Sequence, residues 1–239
     1  MDDDRTRRIR VASYNVHACI GTDGVFAPQR IVDVLATLDA DFIALQEVED
    51  REHQGIIVSQ FLADALGLQA AARTTHKRVG LDYGNLLLSR SQPLRTATHD
   101  LALSQREPRG AIEADFHVHG CSLRMVATHF GLSMKERRMQ LQMILPCLED
   151  RQPDLTVLCA DFNEWLPYSP LHRVLRRVLG EAPAVRTFPS RLTALALDRI
   201  YASPLASLVS IEAVATADAR KASDHLPLVA EFDLARVGK

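Results

Sequence analysis

The stretch "LCADFN" (158–163) is an apolar run that stops abruptly in a carboxylate, Asp161, and an amide, Asn163. On a strand, side chains at i and i+2 share a face, so the pair could act together on one ligand. The same two residues could equally close a strand as an Asx turn. Other runs end in a similar way. Asn15 follows "IRVASY", Glu47 lies in "QEVED", His129 follows "VAT", Asp198 sits in "LDRIY", and Asp224 and His225 open "DHLPLV". Taken singly, each reads as a turn residue, a surface charge or a satisfied structural histidine. Taken together, they place carboxylates and amides at the ends of core strands. Such an oxygen-rich set suits Mg²⁺ or Mn²⁺, whereas Zn²⁺ would draw more histidine or cysteine. Carboxylates gathered without a cation would repel one another, so the pattern implies a metal.

The elements that must position these residues repeat. "IRVASYNV" alternates as a strand and leads through a loop with Gly21 and Gly24 to "PQRIVDVLATLD". Pro28 opens that helix, and Ile31, Val34, Leu35 and Leu38 form its apolar stripe. A buried strand, "ADFIALQEVE", follows. The order then recurs: strand "SLRMVATHF", helix "SMKERRMQLQMILPCL" with a capping box at Ser133 and Glu136, and strand "PDLTVLCADFN". Strand-like runs "GNLLLSR", "LRTATHDLAL" and "AIEADFHV" lie between the halves, the last turning through His119–Gly120 into "CSLRMV" as a hairpin. "ALDRIYA", "LVSIEAVAT" and "LPLVAEFDL" supply further strands near the C-terminus. With no linker or low-complexity tract between the halves, the expectation is one α/β domain over 9–239, two sheets face to face with helices outside. Residues 1–8 read as a flexible N-terminal tail.

Composition narrows the classes. A net charge of −2 gives no overall field towards nucleic acid or anionic membrane. No apolar run approaches the ~20 residues of a membrane span, and the charged start "MDDDRTRRIR" is unlike a secretory signal. Cys19, Cys121, Cys147 and Cys159 form no C-x-x-C pair, and reduced, mostly buried thiols in a cytoplasmic monomer are the expectation. His117 and His119 in "HVHG" have the spacing of a dinuclear zinc motif, but the further ligands do not follow. Neither a G-x-S-x-G elbow nor a phosphate-binding G-x-x-x-x-G-K-[ST] loop is present.

The blocks "SYNVHACIGTDG", "FIALQEV", "YGNLLLSR", "VATHFGL", "LCADFNEW", "LDRIY" and "SDHLPLVAEF", in this order over almost the whole chain, resemble the endonuclease/exonuclease/phosphatase superfamily. That superfamily includes deoxyribonucleases, sphingomyelinases and inositol-polyphosphate phosphatases. The resemblance implies a four-layer α/β/β/α sandwich and a Mg²⁺- or Mn²⁺-dependent phosphoesterase that activates water for in-line attack. It implies Glu47 as main metal ligand, with Asn15 and Asp224; a dyad of His225 and Asp198; Asp161 as water-activating base in competition with His225; Asn163 on a phosphate oxygen; and His129 near the phosphate or leaving group. Arg109 in "EPRGAI" has guanidinium geometry for a phosphate, and Asn85 in "YGNLLLS" could line the site. The sequence departs from the family at Ala160, usually Gly, and at Arg199, often aromatic. Basic residues near the site loops (Lys77, Arg78, Arg106, Arg109, Lys135, Arg137, Arg138) are few for a duplex footprint. A lipid headgroup or small phosphodiester is therefore the favoured substrate, with a nuclease acting on DNA or RNA as the alternative and a non-catalytic binding relative as the third reading.

Overall fold

The computed structural model describes residues 7–73, 76–78, 80–180 and 183–237. In chain order the elements are β1 (Arg8–Asn15), α1 (Pro28–Ala36), β2 (Phe42–Glu49), β3 (Glu52–His53), β4 (Ile56–Ile57), α2 (Val58–Leu66), β5 (Gln69–Arg73), β6 (His76–Arg78), β7 (Leu81–Ser89), β8 (Arg95–Asp100), β9 (Gly110–Val118), β10 (Cys121–His129), α3 (Met134–Glu149), β11 (Leu155–Asp161), α4 (Pro170–Leu179), β12 (Asp198–Ser203), β13 (Leu208–Ala213), α5 (Ala217–Ala222) and β14 (Leu228–Asp233). The first strand takes in Arg8, one residue ahead of the expected domain start at 9; residues 1–6 lie outside the described residues.

Both repeated strand–helix–strand units form parallel pairs, β1 with β2 and β10 with β11. A helix between the strands is the connection that a parallel pair requires. Around them are built a sheet in the order β13-β14-β1-β2-β7-β5, with β6 also on β7, and a five-stranded sheet in the order β12-β11-β10-β9-β8. The expected hairpin joins β9 to β10 through His119 and Gly120, both at positive φ. That is the turn chemistry whose twist matches paired strands.

Three apolar layers hold the fold together. Alternate residues of the two sheets meet between them: Val11, Ala44, Leu87, Met125, Val157 and Ile200 among others. On the outer face of the first sheet, α1, α2 and α5 bury Ile31, Leu35, Leu62 and Ala222. On the outer face of the second, α3 and α4 bury Ile144, Leu148, Leu175 and Leu179 against Val126, Leu158 and Ala160. This is the expected α/β/β/α sandwich. Each fully buried aliphatic side chain contributes roughly 1.5–3 kcal/mol, and β11, buried at all seven positions, is held from both faces. Ala160 lies on the helix side of β11 with its methyl packed. Arg199, opposite it on β12, is buried too, and loss of water draws its pKa down. All four cysteines are free, and three are buried. Among the described residues no helix is long and apolar enough to cross a membrane.

Candidate active site

Strand periodicity locates the site. The side chains facing the other sheet are apolar along each strand until its end, where the same face turns polar. β1 runs Ile9, Val11, Ser13, Asn15; β10 runs Leu123, Met125, Ala127, His129; β11 runs Leu155, Val157, Cys159, Asp161; and β12 begins at Asp198 before Ile200 and Ala202. His129 is in register with Asp161, and Asp161 with Asp198, so three neighbouring strands present their polar ends side by side. Glu47 joins them by a different device. It follows Gln46 in β2, and the strand bulges between Leu45 and Val48, with Glu47 at φ +58°. A bulge of this kind re-aims a side chain. It leaves the Glu47 carboxylate about one-fifth exposed beside otherwise buried groups.

Asp161 is the hub. Its Oδ2 accepts from Asn15 Nδ2 at 2.9 Å and its Oδ1 from the Asn163 backbone N–H at 2.9 Å. Asn15 Nδ2 also donates to Glu47 Oε1 at 3.0 Å, so one amide bridges two carboxylates. The strand stops at Asp161, and Asn163 is not a same-face strand neighbour. It sits at φ +49° in an Asx turn whose acceptor is Asp161 itself. The turn and the site are one feature. The Asn163 side chain swings back to the Phe130 carbonyl, 2.9 Å, and lies 2.9 Å from His129 Nε2.

Two imidazoles flank Asp161 Oδ2, His129 at 3.5 Å and His225 at 3.7 Å, and their environments push them in opposite directions. Burial is the main force on His129, lowering its pKa to about 3; it outweighs the opposing pull of Asp161, and the nearby Arg109 and His225 charges act with it. His225 is just as deeply buried, which disfavours its charge. The carboxylates of Asp198 and Asp161 outweigh that cost and raise it to about 10. Asp198 Oδ2 holds His225 Nδ1 at 2.7 Å and also accepts from Thr187 Oγ1 at 2.5 Å. The Phe188 ring packs on the His225 ring with centroids 4.8 Å apart. Ser223 Oγ donates to the Asn15 carbonyl at 2.7 Å, tying the His225 loop to the end of β1.

The remaining sequence candidates take less central places. Arg109 is buried, its guanidinium directed to His129 Nδ1 at 3.1 Å and Glu107 Oε2 at 2.7 Å. Asn85 donates to the Gly110 carbonyl at 2.8 Å, an acceptor shared with Thr128 Oγ1. Asp224 lies 3.8 Å from His17 Nδ1, both side chains partly exposed. Thr187, Phe188, Ser223 and His17 were not among the residues the sequence singled out. Ser223 and His17 did carry a signal, their places in the quoted "SDHLPLVAEF" and "SYNVHACIGTDG" blocks. His17 opens a run of three non-glycine residues, His17 to Cys19, all at positive φ, a costly backbone that persists where the surroundings enforce it.

The donor set fits a hard divalent cation. Glu47 offers an oxygen at a partly open position and Asp161 another beside it. Asn15 turns Nδ2 to both carboxylates while its Oδ1 accepts from the His17 N–H at 3.0 Å, so it would ligate only with its amide turned over. Asp161, Asp198 and His225 also fall within 4.8 Å of one another. However, the 2.7 Å bond between Asp198 and His225 makes these two a dyad with no room for an ion between them.

A two-sheet sandwich whose polar strand ends gather carboxylates, amides and a carboxylate–imidazole pair is the architecture of metal-assisted ester hydrolases. The profile of the Endonuclease/Exonuclease/phosphatase family matches residues 12–225, and the chain belongs to that family, whose members are hydrolases acting on phosphoesters. No curated protein matches the chain in sequence. Among solved structures it is similar to an endonuclease/exonuclease/phosphatase from Beutenbergia cavernae DSM 12333, with 20% identity over 97% of this chain and 72% of the other and a TM-score of 0.74. It is also similar to the mannosyl-6-phosphatase Bt3783 of Bacteroides thetaiotaomicron, with 17% identity over 93% and 98% and a TM-score of 0.73. A third is ANGEL2, a 2′,3′-cyclic phosphatase, with 17% identity over 94% and 95% and a TM-score of 0.72. At these identities the likeness is one of fold.

Proposed function

We propose that the protein hydrolyses a phosphodiester with the help of Mg²⁺ or Mn²⁺, the substrate being a lipid headgroup or a small molecule. The observation that carries this reading is the position of Asp161, between the imidazoles of His129 and His225 and beside Glu47 and Asn15. Glu47 would hold the cation, joined by Asn15 with its amide turned to present Oδ1; when bound, the cation supplies the charge that offsets the phosphoryl oxygens. Asp224, paired with His17, is assigned to the rim of the site.

The protein's own groups divide the rest of the work. Asp161 takes the proton from the attacking water as the water oxygen bonds to phosphorus; the ester P–O bond opposite breaks, and its electron pair leaves with the alkoxide, which is then protonated from solvent. His225, kept cationic by Asp198, donates from Nε2 to a phosphoryl oxygen and stabilises charge where it develops. Asn163 and neutral His129 orient the phosphate, and Arg109 is a positioning residue for His129. Thr187 fixes the face of Asp198.

The choice against duplex nucleic acid rests on how the basic residues are committed. Arg137 is buried on Glu164, Lys77 is 2.7 Å from Asp82, and Arg109 is buried on Glu107 and His129. A groove-spanning phosphate footprint needs such charges free. The test is a panel of soluble phosphodiesters, phospholipids, RNA and plasmid DNA, each with Mg²⁺ or Mn²⁺ and with excess chelator. Metal-dependent turnover of a soluble ester or lipid, abolished in Asp161→Ala, is expected. Full turnover in chelator would sink the metal reading. Efficient salt-sensitive nicking of duplex DNA, lost in Asp161→Ala, would make the protein a nuclease.

A further inference from the structure

Two loops leave the site and carry apolar side chains into solvent. The loop after His129 exposes Leu132, and α3 opens with the exposed Met134; they are 73% and 65% accessible. The loop after Asn163 exposes Trp165, Leu166 and Tyr168, at 53%, 51% and 78%. Single exposed apolar residues need no explanation, but a cluster built on two adjacent loops marks a contact surface. The loops are fastened together. Arg137 donates from Nη1 to the Leu132 carbonyl at 2.6 Å and from Nη2 to Glu164 Oε2 at 2.9 Å. The other Glu164 oxygen accepts from the Leu166 N–H at 3.0 Å. Apolar tips held this way lose little freedom when they are covered.

Beside them a groove of about 580 Å³ runs between α3 and α4, floored by Leu141, Leu145, Leu171 and Val174. Lys135 and Arg138 stand on its rim, both exposed, and its one acid, Glu164, is already neutralised by Arg137. The net charge of −2 would not draw the molecule to an anionic surface, but this face is locally basic. Apolar tips with a Trp and a Tyr, backed by cations, match the boundary between acyl chains and anionic headgroups.

We propose that these two loops dock the protein on an anionic phospholipid bilayer, with the groove taking an acyl chain and the site facing the headgroup phosphates. That the headgroup is then hydrolysed rests on the function proposed above; the docking does not. Because Trp165 is the chain's only tryptophan, the unmodified protein reports its own insertion.

The experiment titrates the full chain, in chelator so that no turnover intervenes, with vesicles of phosphatidylglycerol and phosphatidylcholine or of phosphatidylcholine alone. Tryptophan emission and co-sedimentation are read together. Expected are a blue shift and co-sedimentation with the anionic vesicles, weakened by high salt. Leu132→Ser combined with Leu166→Ser should weaken partition about tenfold or more, while turnover of a soluble chromogenic ester with metal stays within about twofold. No association with anionic vesicles, or association that the double substitution leaves intact, would overturn the proposal. So would a concentration-dependent dimer abolished by the same substitutions, which would give the surface to a second copy of the chain. Vesicle binding without turnover of any ester would instead refute the phosphoesterase reading and leave the docking standing.

Discussion

Asp198→Asn isolates what the carboxylate does for His225. The substitution is nearly isosteric and keeps an oxygen for His225 Nδ1 and Thr187, but removes the charge 2.7 Å from the ring. Burial disfavours the imidazolium, and Asp198 is the strongest of the groups that restore it. Without that charge, His225 should titrate no higher than its ordinary value near 6.5. At pH 8 a ring with that pKa is only about 3% protonated, so loss of the cation alone should cost about 30-fold in kcat. The readout is the pH profile with a soluble chromogenic phosphodiester. The native enzyme should hold its activity to near pH 10, while Asp198→Asn should lose its alkaline limb from about pH 6.5 upward and recover towards native rates at lower pH. His225→Ala should cost roughly 10²-fold or more, and adding Asp198→Ala to it should change little more, because the two act as one unit. An alkaline limb unmoved in Asp198→Asn, or losses that multiply in the double variant, would refute the pairing.

Glu47→Ala should abolish divalent-cation binding by calorimetry along with activity; binding at native strength would remove Glu47 from the ligand set. Buried His129 and His172 should both stay neutral at pH 5.5 while His225 is charged at pH 8, read by ring ¹³C and ¹⁵N shifts. Burial lowers His172 to about 4, so the unfolded chain takes its proton first as pH falls below about 6.5. The contribution of His172 to stability is thus full above that pH and declines towards pH 4 by about 3 kcal/mol, seen as a falling urea midpoint. Gly131→Ala should destabilise by roughly 1–3 kcal/mol in the same assay, since an added Cβ would meet Glu136 Cβ at 2.8 Å and crowd the capping box.

The fold was legible where a pattern was both long and local. Pro28, the Ser133–Glu136 box and the alternation of the core strands announce the two strand–helix–strand units without outside help. α4 is equally legible, although it is not among the helices expected from the sequence. Ser169 caps it through the His172 N–H, Pro170 opens it, and Leu171, Val174, Leu175 and Val178 recur at helical spacing. α5 is different. Its six residues, "ADARKA", are too short to show a period, and it is fixed by burial of Ala219 and Ala222 under the first sheet. The two-residue strands β3 and β4 pair only with each other, and nothing in their composition sets them apart from a turn.

The site was legible as a list of residues and opaque as a geometry, for reasons that differ from residue to residue. Asn15, His129, Asp161 and Asp198 could be grouped from sequence because strand period alone puts them on the inter-sheet face at strand ends. Glu47 obeys the opposite rule: the face belongs to Gln46, and only a bulge with a left-handed backbone brings the next residue in. Arg109 looked like a phosphate clamp because a guanidinium is shaped for one. Its pairing with Glu107 is local, but its engagement by His129 depends on β9 meeting β10, and no local signal carries that. Thr187 has no motif at all, yet its hydroxyl and His225 share one oxygen of Asp198, whose other oxygen is buried without a partner. A carboxylate so bound cannot turn to face a metal without abandoning two hydrogen bonds. Hence Asp198 serves the imidazole, and in the proposed function the cation would fall to Glu47, whose carboxylate is about one-fifth exposed and within reach of water.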